Sequence, residues 1–234
     1  MADYINKFET VACNFKQPKD DLDWVNFALI YLIAFYNEHK NNSDFLDKTE
    51  DQITEKIFFW LKTDKKNIKL QKKMSFNSQP RSNNEDIEGY YDLKFESPLW
   101  QAGQKHFAIE NKVLKDNPES YKEYIYKPIA NSSRTYDDGG MFRFLSNKYA
   151  QGQNYGGMIA FIKAGNTKEI KNNLKNKIKE LKIQDKGKYY GEPINRNFLD
   201  FKVHDFENSF QSNHKRIDGT EIQLIHLLFC FSEV

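Results

Sequence analysis

The run Gly156-Gly157-Met158-Ile159-Ala160-Phe161-Ile162 carries no polar side chain at either set of alternate positions. Side chains on a strand point alternately to its two faces, so a strand here must be covered on both sides. Such strands belong to sheets with helices packed above and below, and the chain supplies the helices. Residues 21–39 read as a helix too apolar all round for a surface position, buried in the fold or against a second subunit. Thr49 followed three residues later by Gln52 forms a capping box. It opens a helix through residue 62 with the apolar stripe Ile53, Ile57, Trp60 and Leu61. Ile170, Leu174, Ile178 and Leu181 mark the inner face of a lysine-rich helix that Thr167 is placed to cap.

Between these helices the pattern is mixed. Residues 67–76 read as a strand followed by a polar loop over 77–86, and strands are expected at 90–95 and 107–114, joined through 97–105. Residues 119–130 are expected to be helical, and Asp137-Asp138-Gly139-Gly140 to turn. A short helix over 141–149 would place Met141, Phe144, Leu145 and Lys148 on one side. Strands over 198–204 and 222–231 complete the chain. This order implies an α/β fold, a central mixed sheet flanked by helices. The expected division is an N-terminal helical extension over residues 1–46 packed on a domain spanning 47–234.

Only 39% of residues are apolar, but 19 Phe, 13 Tyr and 3 Trp supply bulky core groups. A formal net charge of +2 neither requires nor excludes a polyanionic partner. Cys13 and Cys230 have no metal-ligand spacing and suit a reduced compartment. The N-terminus lacks a signal-peptide pattern, and the densest apolar run, residues 22–36, is too short to span a bilayer. The expectation is a soluble cytoplasmic protein with no membrane partner. No phosphate loop of the Gly-x-x-x-x-Gly-Lys type and no Gly-x-Ser-x-Gly elbow is present. The five histidines show no zinc spacing, and His226, in an apolar strand, reads as a core residue.

Chemistry concentrates in Phe107-Ala108-Ile109-Glu110-Asn111-Lys112-Val113-Leu114. As a strand, it places Ala108, Glu110 and Lys112 on one face and Phe107, Ile109, Asn111 and Val113 on the other. The run Tyr90-Tyr91-Asp92-Leu93-Lys94-Phe95 precedes it. If the two pair as a hairpin centred near Gln101, Asp92 falls opposite Glu110. Carboxylates so close repel unless a cation lies between them or one takes a proton. An Asp–Glu pair beside a lysine therefore suits a divalent metal and a positioned ammonium. Glu-x-Lys also occurs at Glu38, Glu169 and Glu180, and a half-exposed strand with solvated charges carries the same letters. On the capped helix, Glu50 falls on the apolar stripe and Glu55 points away. A carboxylate in the first turn also simply favours the helix dipole.

A helix, three strands, a helix and a strand, with Asp92 on the second strand and Glu110-Asn111-Lys112 on the third, resembles the core of the PD-(D/E)xK nuclease superfamily. The resemblance covers roughly residues 47–165. Tyr91 stands where the family often has Pro. Gln151-Gly152-Gln153-Asn154-Tyr155 loosely echoes a Gln-x-x-x-Tyr element of some branches, though a loop explains it equally. The resemblance implies a restriction endonuclease-like fold and Mg²⁺-dependent phosphodiester hydrolysis, with Mn²⁺ as a substitute. Asp92, Glu110 and the Asn111 carbonyl would hold the metal. Lys112 would orient or help deprotonate water and offset charge, and Glu50 would be the additional acid on the first core helix, with Glu55 the less well-placed candidate. Arg143 and Lys148 lie where the family often contacts phosphate.

Further basic candidates are Lys72 and Lys73 in the lysine-rich stretch 62–73, and His214 and Arg216 in a segment expected to be a polar loop. Each also fits an ordinary solvated surface. The leading expectation is a DNA nuclease, with a bacterial restriction or phage-defence role by analogy alone. Two others remain: a catalytically inactive nucleic-acid- or protein-binding module on the same fold, and a homodimer docked through the helix at 21–39.

Overall fold

A computed structural model of the chain describes residues 18–79, 90–101, 104–130, 135–180, 192–193 and 206–231. Its centre is β6 (Tyr155–Ile162). On one face Ile159 and Phe161 enter an apolar cluster with α1 (Asp21–His39) and α2 (Glu50–Thr63). On the other, Met158, Ala160 and Ile162 pack against α4 (Pro118–Ile125), α5 (Phe142–Leu145) and α6 (Thr167–Lys179). The two-sided burial expected from the apolar run is realised.

β6 pairs in parallel with β3 (His106–Leu114) and with β9 (Glu221–Cys230). Antiparallel strands complete both edges. On one side are β2 (Leu93–Glu96) and β1 (Ser75–Ser78). On the other are β8 (Ser209–Lys215) and the two-residue β7 (Glu192–Pro193). The sheet order is β1-β2-β3-β6-β9-β8-β7. The fold is therefore α/β, with a mixed sheet between two helical layers.

The apolar α1 is buried by its own chain: every residue from 27 to 36 is buried, as are Trp24 and Val25. Trp24 stacks on Trp100, which donates its indole N–H to Asp21 at 2.9 Å. Burial of such side chains contributes about 1.5–3 kcal/mol each. With the stripe satisfied internally, the ground for a homodimer through this helix falls away. None of the described helices is long and apolar enough to cross a membrane.

Several local expectations are corrected. The stretch 67–76 is mainly helical: a 3-10 turn at Lys65–Asn67 leads into α3 (Ile68–Lys73) before β1 starts. Asp64 caps the turn through Lys66 N at 2.8 Å, and Lys, Leu and Gln favour a helix over a strand. The helix expected over 119–130 stops at Ile125. Pro128 cannot continue it, and β4 (Lys127–Ala130) pairs instead with β5 (Thr135–Asp138). The turn therefore falls on Gly139 and Gly140, whose φ values are +74° and +52°.

The helix at 141–149 is confined to α5. Asn147 and Ala150, at φ +62° and +53°, break it, and Lys148 lies in the following turn. Met141, Phe144 and Leu145 are buried as expected. The cap of α6 is Asn166, a stronger N-cap than Thr167, accepting from Lys168 N and Glu169 N at 3.0 and 3.1 Å. The polar segment containing His214 is not a loop but part of β8. The strand expected at 198–204, and Cys13 and Leu181, lie outside the described residues.

Candidate functional site

β2 is shorter than β3, and their pairing ends at Leu93↔Ile109. That register is symmetric about residue 101, as the hairpin arithmetic required. Past this point β2 no longer supplies acceptors to the edge of β3, and two carboxylates take over. Asp92 Oδ2 accepts the Asn111 N–H at 2.5 Å, and Glu50 Oε2 accepts the Val113 N–H at 2.9 Å. The site sits where the two strands part.

Glu50 is the first residue of α2, fixed there by the capping box. Thr49 Oγ1 accepts Gln52 N at 3.3 Å and Gln52 Oε1 accepts Thr49 N at 2.9 Å. One turn on, Thr54 Oγ1 accepts from Asn111 Nδ2 at 2.6 Å. Helix phase agrees with the placement: Glu50 reaches Lys112 and Val113, and Glu55 is exposed. The alternation along β3 also holds. Asn111 faces α2, whereas Glu110 points to the opposite layer, fully buried.

Lys112 ties the carboxylates together. Its Nζ lies 2.8 Å from Glu50 Oε1, 2.8 Å from Glu110 Oε1 and 2.6 Å from the Asn111 carbonyl oxygen. Burial alone would lower the Lys112 pKa, but Glu110, Glu50 and Asp92 outweigh it and hold the amine above its ordinary range. It is an ammonium at neutral pH. Burial and the neighbouring Glu110 push the Asp92 carboxyl well above the usual range, with Lys112 and the Asn111 N–H pulling it part of the way back.

Glu110 has partners that the sequence did not point to. Arg143 Nη1 donates to its two oxygens at 3.1 and 3.0 Å, and Gly140 N donates to Oε1 at 3.3 Å. Glycine is required at 140: at φ +52°, a Cβ there would lie 2.1 Å from the Tyr124 carbonyl oxygen. Arg143 Nη1 also donates to the Tyr149 hydroxyl at 2.7 Å, and that hydroxyl donates to the Tyr90 carbonyl, two residues before Asp92. The Gly-Gly turn was the available sequence signal for this approach. Nothing marked Tyr149.

The structure brings Asp92, Glu110, Asn111, Lys112 and Glu50 together, with Arg143 bonded to Glu110. Lys72 and Lys73 are elsewhere. They precede β1, whose first residue opposes Glu96, at the end of β2 remote from Asp92. Lys73 lies over the Phe27 ring, 5.4 Å from its centroid. Lys148 adjoins Tyr149 in the turn after α5 and is partly exposed.

His214 and Arg216, expected as surface phosphate contacts, are 0% and 2% exposed. His214 faces Ser212, and Arg216 donates to the carbonyls of Ala150 and Gln153 at 2.8 and 3.0 Å. Burial, of His214 inward on β8 and of Arg216 in the turn that follows it, leaves neither side chain able to meet a polyanion, so that expectation is corrected. Residues 151–154 form a loop, in which Gln153 Oε1 accepts from His106 N at 3.2 Å.

Among the described residues, no three His, Cys, Asp or Glu side chains are grouped to hold a metal by themselves. The donor set of Asp92, Glu110 and the Asn111 carbonyl is all oxygen, as hard divalent cations require. The Lys112 ammonium already sits between Glu110, Glu50 and that carbonyl. The site's positive charge is thus supplied by the protein's own Lys112, with Arg143 also on Glu110.

Comparison with protein-family models, with curated proteins and with solved structures gave no match.

Proposed function

We propose that this protein is a Mg²⁺-dependent nuclease on a restriction endonuclease-like core, hydrolysing phosphodiester bonds in DNA. The observation that carries the reading is the convergence of Asp92, Glu110, Glu50 and Lys112 where β2 leaves β3. The elements α2, β1, β2, β3, α4 and β6 follow one another along the chain, with α3 inserted before β1 and β4, β5 and α5 inserted before β6, a succession compatible with the core that the motifs resemble. A restriction or phage-defence role follows from that analogy only.

Asp92, Glu110 and the Asn111 carbonyl oxygen would hold the metal. Bound there, Mg²⁺ supplies polarisation of the phosphate and activation of a water. Lys112, held by Glu50, Glu110 and the Asn111 carbonyl, acts as a fixed positive charge beside the phosphate that offsets negative charge as it builds. Glu50 orients the ammonium and, through the Val113 N–H, holds α2 against β3. Hydrolysis leaves a 5′-phosphate and a 3′-hydroxyl, as in the superfamily.

The test is incubation of plasmid and single-stranded DNA with the purified chain. The reading requires cleavage with Mg²⁺ or Mn²⁺, its loss with EDTA, and 5′-phosphate ends. Metal-independent cleavage, or none on any DNA, counts against it.

A second reading has its own support. Both Glu110 oxygens are engaged by basic side chains, as in an ion network that only braces a binding module. Mn²⁺ binding that disappears in Asp92→Ala separates the two, since a purely structural network needs no metal.

A further inference from the structure

We infer that the far end of α2 and the adjoining α3 form a binding surface for single-stranded nucleic acid, with Phe59 as a stacking ring and Lys62, Lys65, Lys69 and Lys72 as phosphate contacts. The surface is separate from the candidate site and does not depend on the function proposed for that site. Helix α2 has 14 residues, each rising about 1.5 Å, so its far end lies about 20 Å from Glu50.

Residues 56–73 hold seven lysines and one acid, Asp64, in a chain whose formal net charge is only +2. Positive charge is thus concentrated at this end of the fold. Two carboxylates here already have partners: Asp64 accepts Lys66 N at 2.8 Å, and Glu38 pairs with Lys66 at 3.0 Å. Glu55, one turn before Phe59, borders the surface. Lys62, Lys65, Lys69 and Lys72 are exposed. Lys65, Ile68 and Lys72 follow one another at spacings of three and four, which align side chains along one helical face. That face is opposite the buried Leu70. Gln71 joins it to α2, its Nε2 donating to the carbonyls of Leu61 and Lys62 at 2.9 and 3.0 Å.

Large apolar side chains stand among these lysines. Phe59 is 53% exposed and Ile68 51%. The neighbours of Phe59 show why it faces out. Phe58 packs on Phe76 of β1, ring centroids 6.1 Å apart, and Trp60 on Phe35 of α1 at 5.7 Å. These two close the flanks of the buried stripe Ile53, Ile57 and Leu61, and the position between them points away from the sheet. The Lys62 ammonium lies 5.5 Å from the Phe58 ring centroid, and the Phe58 and Phe59 rings meet edge-on at 5.8 Å. Charge therefore stands beside the exposed ring. Lysines attract phosphates whatever the sequence, and an aromatic face stacks on a base only where that base is unpaired. A duplex would engage the lysines and leave Phe59 unused. An acidic peptide offers charge but no base, so the combination favours a single strand.

The experiment measures binding of a fluorescein-labelled oligothymidylate of about 15 nucleotides to the full chain, by anisotropy across a salt series, with EDTA present so that no metal-dependent cleavage intervenes. Four phosphate contacts on a single strand predict that log affinity falls against log salt with a slope of about −3. Phe59→Ala should weaken binding about fivefold or more, the loss of one stacked base, while Phe59→Trp should keep it. Lys62→Gln combined with Lys72→Gln should make the slope shallower by about 1.4. A duplex of the same length and polyglutamate should each displace the oligonucleotide poorly. All these positions are exposed, and urea midpoints check that the variants fold. Absence of binding at low salt overturns the inference, as does equal binding by Phe59→Ala and the parent. Displacement by duplex or polyglutamate as effective as by unlabelled oligonucleotide overturns it in favour of those ligands. Binding as predicted by a chain that cleaves no DNA upholds the surface and counts only against the nuclease.

Discussion

The Glu50 carboxylate accepts the Val113 backbone N–H at 2.9 Å while its other oxygen lies 2.8 Å from Lys112 Nζ. One side chain at the first turn of a helix thus completes a strand edge and pins the site's ammonium. It fills the place of the strand partner that β3 lacks beyond Ile109.

Glu50 should therefore matter to stability as well as to cleavage. Glu50→Ala leaves the Val113 N–H without its acceptor and is expected to cost about 1–3 kcal/mol, read as a lower urea midpoint. Glu50→Gln keeps an acceptor oxygen and should recover most of that loss while still lowering the cleavage rate. Equal midpoints for the alanine variant and the parent would sink this account of the strand edge.

Asp92 should show the opposite balance. Burial and Glu110 push its carboxyl well above the usual range, so the fold disfavours its charged form. Asp92→Asn retains an oxygen for the Asn111 N–H and removes the charge. We expect a higher melting temperature at pH 8, together with loss of cleavage. A melting temperature that falls instead contradicts the assignment of strain to this carboxylate.

The buried histidines set the acid side of stability. Tyr124, His226, Ser212 and His214 form one hydrogen-bonded chain, with contacts of 3.0, 2.7 and 2.7 Å. A neutral arrangement satisfies it: Tyr124 donates to His226 Nδ1, His226 Nε2–H to Ser212, and Ser212 to His214 Nε2. Burial drives His214 to about 3 and His226 well below its ordinary value. Burial, with Lys94 and Lys105, drives His106 to about 3. The unfolded chain takes up these protons below about 6.5. Between roughly 6.5 and 3 it binds more protons than the folded chain, so stability rises with pH across that window. Asp92 opposes this in part, having a raised value in the fold. Urea midpoints should drop from pH 7.5 to pH 5, and drop less in His214→Asn. Identical midpoints at the two values would rule the histidine chain out as the cause.

Much of the fold was legible where one period dominated. The apolar run of β6, the capping box of α2 and the stripe of α6 specify their elements locally. The hairpin register followed from arithmetic because both strands alternate cleanly about residue 101. Legibility failed where local chemistry competed. Lysine-rich α3 has an ambiguous pattern that the Asp64 cap resolves, and β8 looks polar because its inward Ser212 hydrogen-bonds both His214 and His226. Within the site, Asp92, Glu110, Lys112 and Glu50 could be placed from spacing and helix phase. Arg143 could be noticed, but its bond to Glu110 could not, since it depends on how a Gly-Gly turn carries α5 across the sheet.

The most direct test of the central claim is single-turnover DNA cleavage in Mg²⁺ by the parent chain and by Lys112→Ala, with folding of each confirmed by its urea midpoint. The account predicts cleavage by the parent and a rate about a hundredfold lower or less in the variant, the usual consequence of removing one aligned charge from a developing negative centre. Cleavage by a folded Lys112→Ala protein at the parent's rate would contradict it.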